Sequence, residues 1–156
     1  MNASGSAKAR VLVVDDSVSM RMMFSDLLEQ IQGIEVTGIA ASADEAREKI
    51  NELRPDVLTL DIDMPGTNGL EFLEEIMSKR PMPVIILSAL AQKGSAMAKK
   101  AMDLGAVSCF GKPITADSAK FAKEIKRLGE LVHEAHAIDM HKHVEALRAK
   151  GTRCDS

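Results

Sequence analysis

Apolar residues along the chain follow two rhythms. Short, mostly apolar stretches at Arg10–Asp15, Ile34–Ala40, Val57–Leu60, Val84–Leu87 and Ala106–Phe110 have the length and β-branched content of strands, the first of them continuous enough for burial on both faces. Between them, apolar residues recur three and four positions apart. Met20, Met23, Phe24, Leu27, Leu28 and Ile31 mark a helix over about 18–31, with Ser17 as its cap and Gly33 as its stop. Ser42, with Glu45 three residues on, opens a second helix that reaches Leu53 and is ended by Pro55. Asn68 precedes a third helix carrying Leu70, Leu73, Ile76 and Met77 on one face. A weaker helix spans Gln92–Leu104 and stops at Gly105, and the last helical stretch begins at Thr115 or Asp117.

Five strand–helix units in alternation predict an α/β fold, a parallel sheet with helices on both faces. The chain of 156 residues fits one domain with a short appendage. The expected divisions are a flexible lead-in over 1–9, the domain proper over 10–132, and a helical extension or linker over 133–156.

Composition narrows the function. Apolar residues are 46% and charged residues 28%, enough for an ordinary buried core, whereas aromatics are only 3% and Trp and Tyr are absent. A base-stacking surface is therefore disfavoured, and a net charge of −3 argues further against nucleic acid as a partner. The acidic excess lies in residues 1–113, with 12 Lys/Arg against 16 Asp/Glu, while residues 114–156 are nearly balanced at 8 against 7. The first residues, MNASGSAKAR, carry no apolar leader core, and no run reaches the roughly 18 apolar residues of a membrane span. A cytoplasmic protein without membrane insertion is expected, with Cys109 and Cys154 as free thiols.

Chemistry collects where the strands end. The first ends in Asp15-Asp16, the third in Asp61, the fourth in Ser88, and the fifth just before Lys112. In open α/β sheets, ligands bind at these carboxyl ends. Carboxylates brought together repel unless a cation lies between them, and a small set of hard oxygen ligands suits Mg²⁺. A hydroxyl and a lysine opposite suit the oxygens of a transferred phosphoryl group, and aspartate is a competent phosphoryl acceptor. Asp61 is the candidate acceptor. Each residue alone has a plain structural explanation, as a turn, a cap or a loop. Their joint occurrence at successive strand ends favours a site.

The stretches Val13-Val14-Asp15-Asp16-Ser17, Leu60-Asp61-x-x-Met64-Pro65-Gly66, Ile86-Leu87-Ser88-Ala89 and Lys112-Pro113 resemble the response-regulator receiver domain over about residues 9–130. Within that family, Asp61–Gly66 and Arg80–Ile85 are most similar to the regulatory half of the chemotaxis methylesterase. The resemblance implies a flavodoxin-like, doubly wound five-stranded sheet of order 2-1-3-4-5. It implies a switch of a two-component, chemotaxis-type system. Asp61 would take a phosphoryl group from a histidine kinase or histidine phosphotransfer protein. Asp16 and Asp61 would ligate Mg²⁺ with the main-chain carbonyl of Asp63, Asp15 would support the site, and Ser88 and Lys112 would bind phosphoryl oxygens. The output would be control of a downstream protein target rather than catalysis by this domain. Cys109 stands where the family often has Tyr or Phe, and Phe110 follows it, so an aromatic switch is not expected here. There is no G-x-S-x-G hydrolase signature, so either the hydrolase is absent or the chain is a fragment of a larger effector. A remote alternative is an aspartate-nucleophile phosphatase, suggested by Asp61-Ile62-Asp63 but with Pro65 where that class has Thr or Val.

The tail restarts its periodicity. Phe121, Ile125, Leu128 and Val132 form one row. Met140, Val144 and Leu147 form another, with Asp139 as a candidate cap and Gly151 as a candidate stop. Residues 114–150 are thus one long bent helix or two. The second row needs a surface to pack on, and a homodimer through this C-terminal helix is one way to supply it. His133, His136, Met140 and His143 share one helical face, a weak metal-site candidate against the plainer reading of a solvated face.

Overall fold

The computed structural model describes residues 8–62, 69–88, 96–111 and 118–155. The five strands are β1 (Ala9–Val14), β2 (Ile34–Ala40), β3 (Val57–Asp61), β4 (Val84–Ser88) and β5 (Ser108–Gly111), all parallel in the order β2-β1-β3-β4-β5. The helices are α1 (Val18–Glu29), α2 (Ala43–Leu53), α3 (Gly69–Lys79), α4 (Ala96–Leu104), α5 (Ser118–His136) and α6 (Met140–Asp155). The central strands β3 and β4 are buried at every residue, as their continuous apolar runs require once helices cover both sheet faces.

The two faces build two cores. Leu12, Val14, Leu58, Leu60, Val84 and Ile86 meet the apolar sides of α2 and α3. Val11, Val13, Val57, Ile85 and Leu87 point the other way, onto Phe24 and Leu28 of α1 and Phe121, Ile125, Leu128 and Val132 of α5. The period-two alternation of each strand thus decides which layer a residue enters.

The helix starts follow the sequence. Ser17 Oγ accepts from Met20 N at 3.3 Å, and Ser42 Oγ accepts from Glu45 N at 3.2 Å. Glu45 Oε1 reaches back one residue beyond the usual box, to Ala41 N at 3.3 Å. Asn68, Gln92, Thr115 and Asp117 lie outside the described residues.

Several boundaries move. β1 begins at Ala9, because its amide donates to Gly33 O at 2.8 Å and joins the ladder to β2. α1 closes at Glu29 rather than near Ile31, where Gln30 N turns back to Leu27 O. β5 begins at Ser108 rather than Ala106, since Ala106 N is used to close α4 on Ala101 O.

The tail is two helices. The chain breaks after His136, and Asp139 Oδ1 accepts from His141 N and Lys142 N at 3.0 and 3.3 Å, a cap that starts α6. Gly151 does not stop α6, which continues to Asp155; a glycine weakens a helix but ends it only where the backbone turns left-handed. α6 lies back on the domain. Met140 packs against the α2–α3 core, His143 Nε2 bonds Gly105 O at 2.9 Å, and Leu147 faces the same glycine. Gly105 has φ +124°, and a Cβ there would sit 2.4 Å from Met77 Cγ, so only glycine fits this turn. The row Met140, Val144, Leu147 is half-buried by the chain's own α3–α4 end. The three histidines do not assemble a metal site. His133 meets Gln32 O at 3.1 Å, His136 meets Asp56 at 3.6 Å, and His143 meets Gly105, each on a different segment.

Candidate phosphoacceptor site

Asp15 follows β1 directly. Its amide continues the ladder to Ala40 O at 3.0 Å, and its Oδ1 accepts from Ser17 N at 2.9 Å, a local turn that also presents Ser17 as the α1 cap. Arg21, one turn into α1, places Nη1 2.7 Å from Asp15 O and fixes that turn from the helix side. Sequence reasoning did not single out Arg21. Its only signal there is its position four residues after a capping serine, which any solvated arginine shares.

Asp61 is the last residue of β3 and pairs with Leu87 of β4. Ile62 N then donates to Leu87 O at 3.2 Å, so the chain leaves the sheet along β4. The start of α3 returns against this exit. A Cβ on Gly69 would lie 2.5 Å from Ile62 Cα, and only glycine lets the two backbones meet there. Ser88 ends β4 beside Gly111 of β5. Asp15, Asp61 and Ser88 are each 0% exposed, whereas Asp16 is exposed.

Asp15, Asp16 and Asp61 each offer a carboxylate oxygen within 4.8 Å of the others. Among the described residues this is where acidic or metal-ligating groups converge. Two buried and one exposed carboxylate at this spacing form a hard-oxygen donor set with an open side. That chemistry fits a small divalent cation which keeps some of its waters. Four of the six expected site residues are thus placed on one sheet edge: Asp15, Asp16, Asp61 and Ser88. Asp63 and Lys112 lie outside the described residues.

Cys109 and Phe110 take opposite sides of β5. Cys109 packs with the α2–α3 layer and its thiol donates to Ala98 O at 3.6 Å, while Phe110 enters the α1–α5 core. Burial pushes the Cys109 thiol pKa up, so it stays protonated at neutral pH. Phe110 would have to leave a filled core to reach the side that Cys109 occupies.

Residues 11–125 match the family model described as response regulator receiver domain. The chain belongs to the receiver-domain family. Among curated relatives, the receiver is 48% identical over 134 residues to a protein-glutamate methylesterase/protein-glutamine glutaminase of Agrobacterium fabrum, covering 84% of this chain and 38% of that protein. The chain therefore spans about two fifths of the length of that relative. Among solved structures, the response regulator domain of Thermotoga maritima CheB superposes with a TM-score of 0.77 at 42% identity, covering 85% of this chain and 98% of that one. A Borrelia burgdorferi structure, the CheX–CheY–BeF₃–Mg²⁺ complex, matches with a TM-score of 0.62 at 30% identity, over 76% of this receiver and 87% of that chain. Family membership replaces the phosphatase alternative and agrees with the strand order in hand.

Proposed function

We propose that this receiver is the phosphorylation-controlled switch of a chemotaxis-type two-component system, with Asp61 as its phosphoacceptor. The observation that carries the reading is the meeting of Asp15, Asp16 and Asp61 within 4.8 Å at the tips of β1 and β3. One Asp61 carboxylate oxygen attacks phosphorus. A phosphorus–oxygen bond forms as the phosphorus–nitrogen bond of a phosphohistidine breaks, and the leaving imidazole takes up a proton. Asp15, Asp16 and Asp61 would hold a divalent cation such as Mg²⁺, with the main-chain carbonyl of Asp63 as a further ligand. Such an ion would supply charge neutralisation for the incoming phosphoryl oxygens. Ser88, at the end of β4, donates its hydroxyl to the transferred group, and Lys112 pairs with its charge. Hydrolysis of the acyl phosphate resets the switch, so the domain is an acceptor with self-catalysed turnover rather than an enzyme acting on other molecules.

The phosphodonor is a histidine kinase or histidine phosphotransfer protein. Val18 and Met22, 64% and 52% exposed on the first turns of α1, offer it an apolar landing beside Asp15 and Asp16. The output is a protein target. The relative's name suggests a methylesterase as effector, with residues 10–132 as its regulatory domain and 133–156 as the connection. A homodimer through α6 has less to support it, since the Met140, Val144, Leu147 row already packs in cis. Among the described residues, no helix is long and apolar enough to cross a membrane, which suits a cytoplasmic switch.

The test is mass spectrometry after exposure to a small phosphodonor with Mg²⁺. One phosphoryl group is added to the wild type and none to Asp61→Asn. Equal labelling of that variant, or labelling unaffected by a chelator, would overturn the assignment.

A further inference from the structure

Beneath the carboxylates lies a polar group that the proposed chemistry does not use. Thr59 is 0% exposed, and its Oγ1 has no hydrogen-bond partner among the described residues. Its row across the sheet is Val13 of β1 and Ile85 of β4, both apolar. The α1–α5 layer on that face is built from Val, Ile, Leu, Phe and Ala. A buried hydroxyl with no partner is costly, and valine would fill the same space without that cost. A β-branched residue is natural in a central strand; a β-branched residue carrying a hydroxyl there calls for a reason.

The strand period supplies one. Thr59 and Asp61 are two residues apart on β3, so their side chains leave the same face, about 7 Å apart along the strand. Val13 and Asp15 bear the same relation on the neighbouring strand. The row above Val13–Thr59–Ile85 therefore begins with Asp15 and Asp61. Among the described residues of β1 and β3, the next side chains above Val13 and Thr59 on this face are the two buried carboxylates of the site. No direct bond is made. One water with two bonds of about 2.8 Å spans about 5 Å, and Thr59, Asp61 and Asp15 give it the two to four polar partners a buried water needs.

We propose that Thr59 is a positioning residue for the acidic site: its hydroxyl, through one buried water, orients the Asp61 and Asp15 carboxylates for the cation. This rests on reading the site as Mg²⁺-binding. The hydroxyl donates to the water, and the water donates both its hydrogens upward, one to each carboxylate. The two buried ligands are then held facing the open side, where exposed Asp16 completes the set. Groups that orient metal ligands from behind commonly set affinity by a factor of ten or more.

The test compares Thr59→Val, which keeps the shape and removes the hydroxyl, with Thr59→Ser, which keeps the hydroxyl and removes a methyl. The full chain is titrated with MgCl₂ by calorimetry, and amide shifts of residues 15–17 and 61–62 are followed. Thr59→Val is expected to bind Mg²⁺ about tenfold more weakly, while Thr59→Ser stays within about twofold of wild type. Wild-type affinity in Thr59→Val, with or without a gain in thermal stability, would overturn the inference by showing the hydroxyl idle. Equal weakening in both variants would overturn it by assigning the effect to packing. A wild type that binds no Mg²⁺ would instead overturn the reading on which the inference rests.

Discussion

The two edges of the sheet carry different sets of polar groups. At the carboxyl edge, Asp15, Asp61 and Ser88 are fully buried, and three carboxylates crowd within 4.8 Å. At the amino edge, polar groups meet complementary ones. His133 and His143 donate to carbonyl oxygens of Gln32 and Gly105, and His136 sits beside Asp56. Arg10 is bound by Thr37 and the Arg54 carbonyl, and its own amide donates to Asp56. Carboxylates held close together repel one another, whereas donors matched to acceptors hold the fold at modest gain. The difference separates the edge that gathers carboxylates from the edge that secures the tail.

The strongest way to break this contrast is at Asp61. Asp61→Asn is expected to abolish phosphoryl incorporation yet raise metal-free stability by about 1 kcal/mol, because one of three crowded charges is gone. Chemical denaturation without Mg²⁺ checks it, and a variant less stable than wild type would mean the carboxylate holds the fold. The converse is expected at the other edge. Gly105→Ala must accept φ near +124° and a clash with Met77, so it should lose about 2 kcal/mol while phosphorylation survives in the folded protein. His143→Ala removes only the bond to Gly105 O and should cost about 1 kcal/mol, with faster amide exchange along α6 and no change in phosphorylation rate.

The smallest effect belongs to an ion pair on neither edge. Arg47 grips Glu75 with two bonds, Nε to Oε2 at 2.7 Å and Nη2 to Oε1 at 2.8 Å, and its guanidinium lies 5.2 Å from the Phe72 ring centroid. Its hydrogen bonds hold the Glu75 carboxyl below its ordinary value of 4.5. A lowered carboxyl pKa stabilises the fold above the ordinary value and ceases to do so as pH falls through the folded one. Both side chains are partly exposed, so the gain is only about 0.5 kcal/mol. Glu75→Gln should therefore be slightly less stable than wild type at pH 7 and equal to it in strong acid. A constant difference across that range would mean the pair acts through packing on Phe72 instead.

Much of this protein is written locally. The short apolar runs at Val57–Leu60 and Val84–Leu87, with their β-branched residues, read as strands buried on both faces, and Ser17 and Ser42 mark helix starts that the backbone honours. A strand's final residue is known once its apolar run ends, so Asp15, Asp61 and Ser88 were legible as strand tips. Sequence could not bring Asp15 and Asp61 together across 46 positions; that needs β1 and β3 to be neighbours, which the sheet order decides. Nor could it tell that Thr59, a good strand former, is a hydroxyl stranded in an apolar layer. The tail's second row announced only that it needed a surface. Which surface it found, the α3–α4 end, depends on where α5 delivers the chain, and so do the partners of His133, His136 and His143. Local pattern fixes what each segment must bury, because that follows from its own side chains. What it is buried against depends on residues far away in the chain, and only the packed structure brings those within reach.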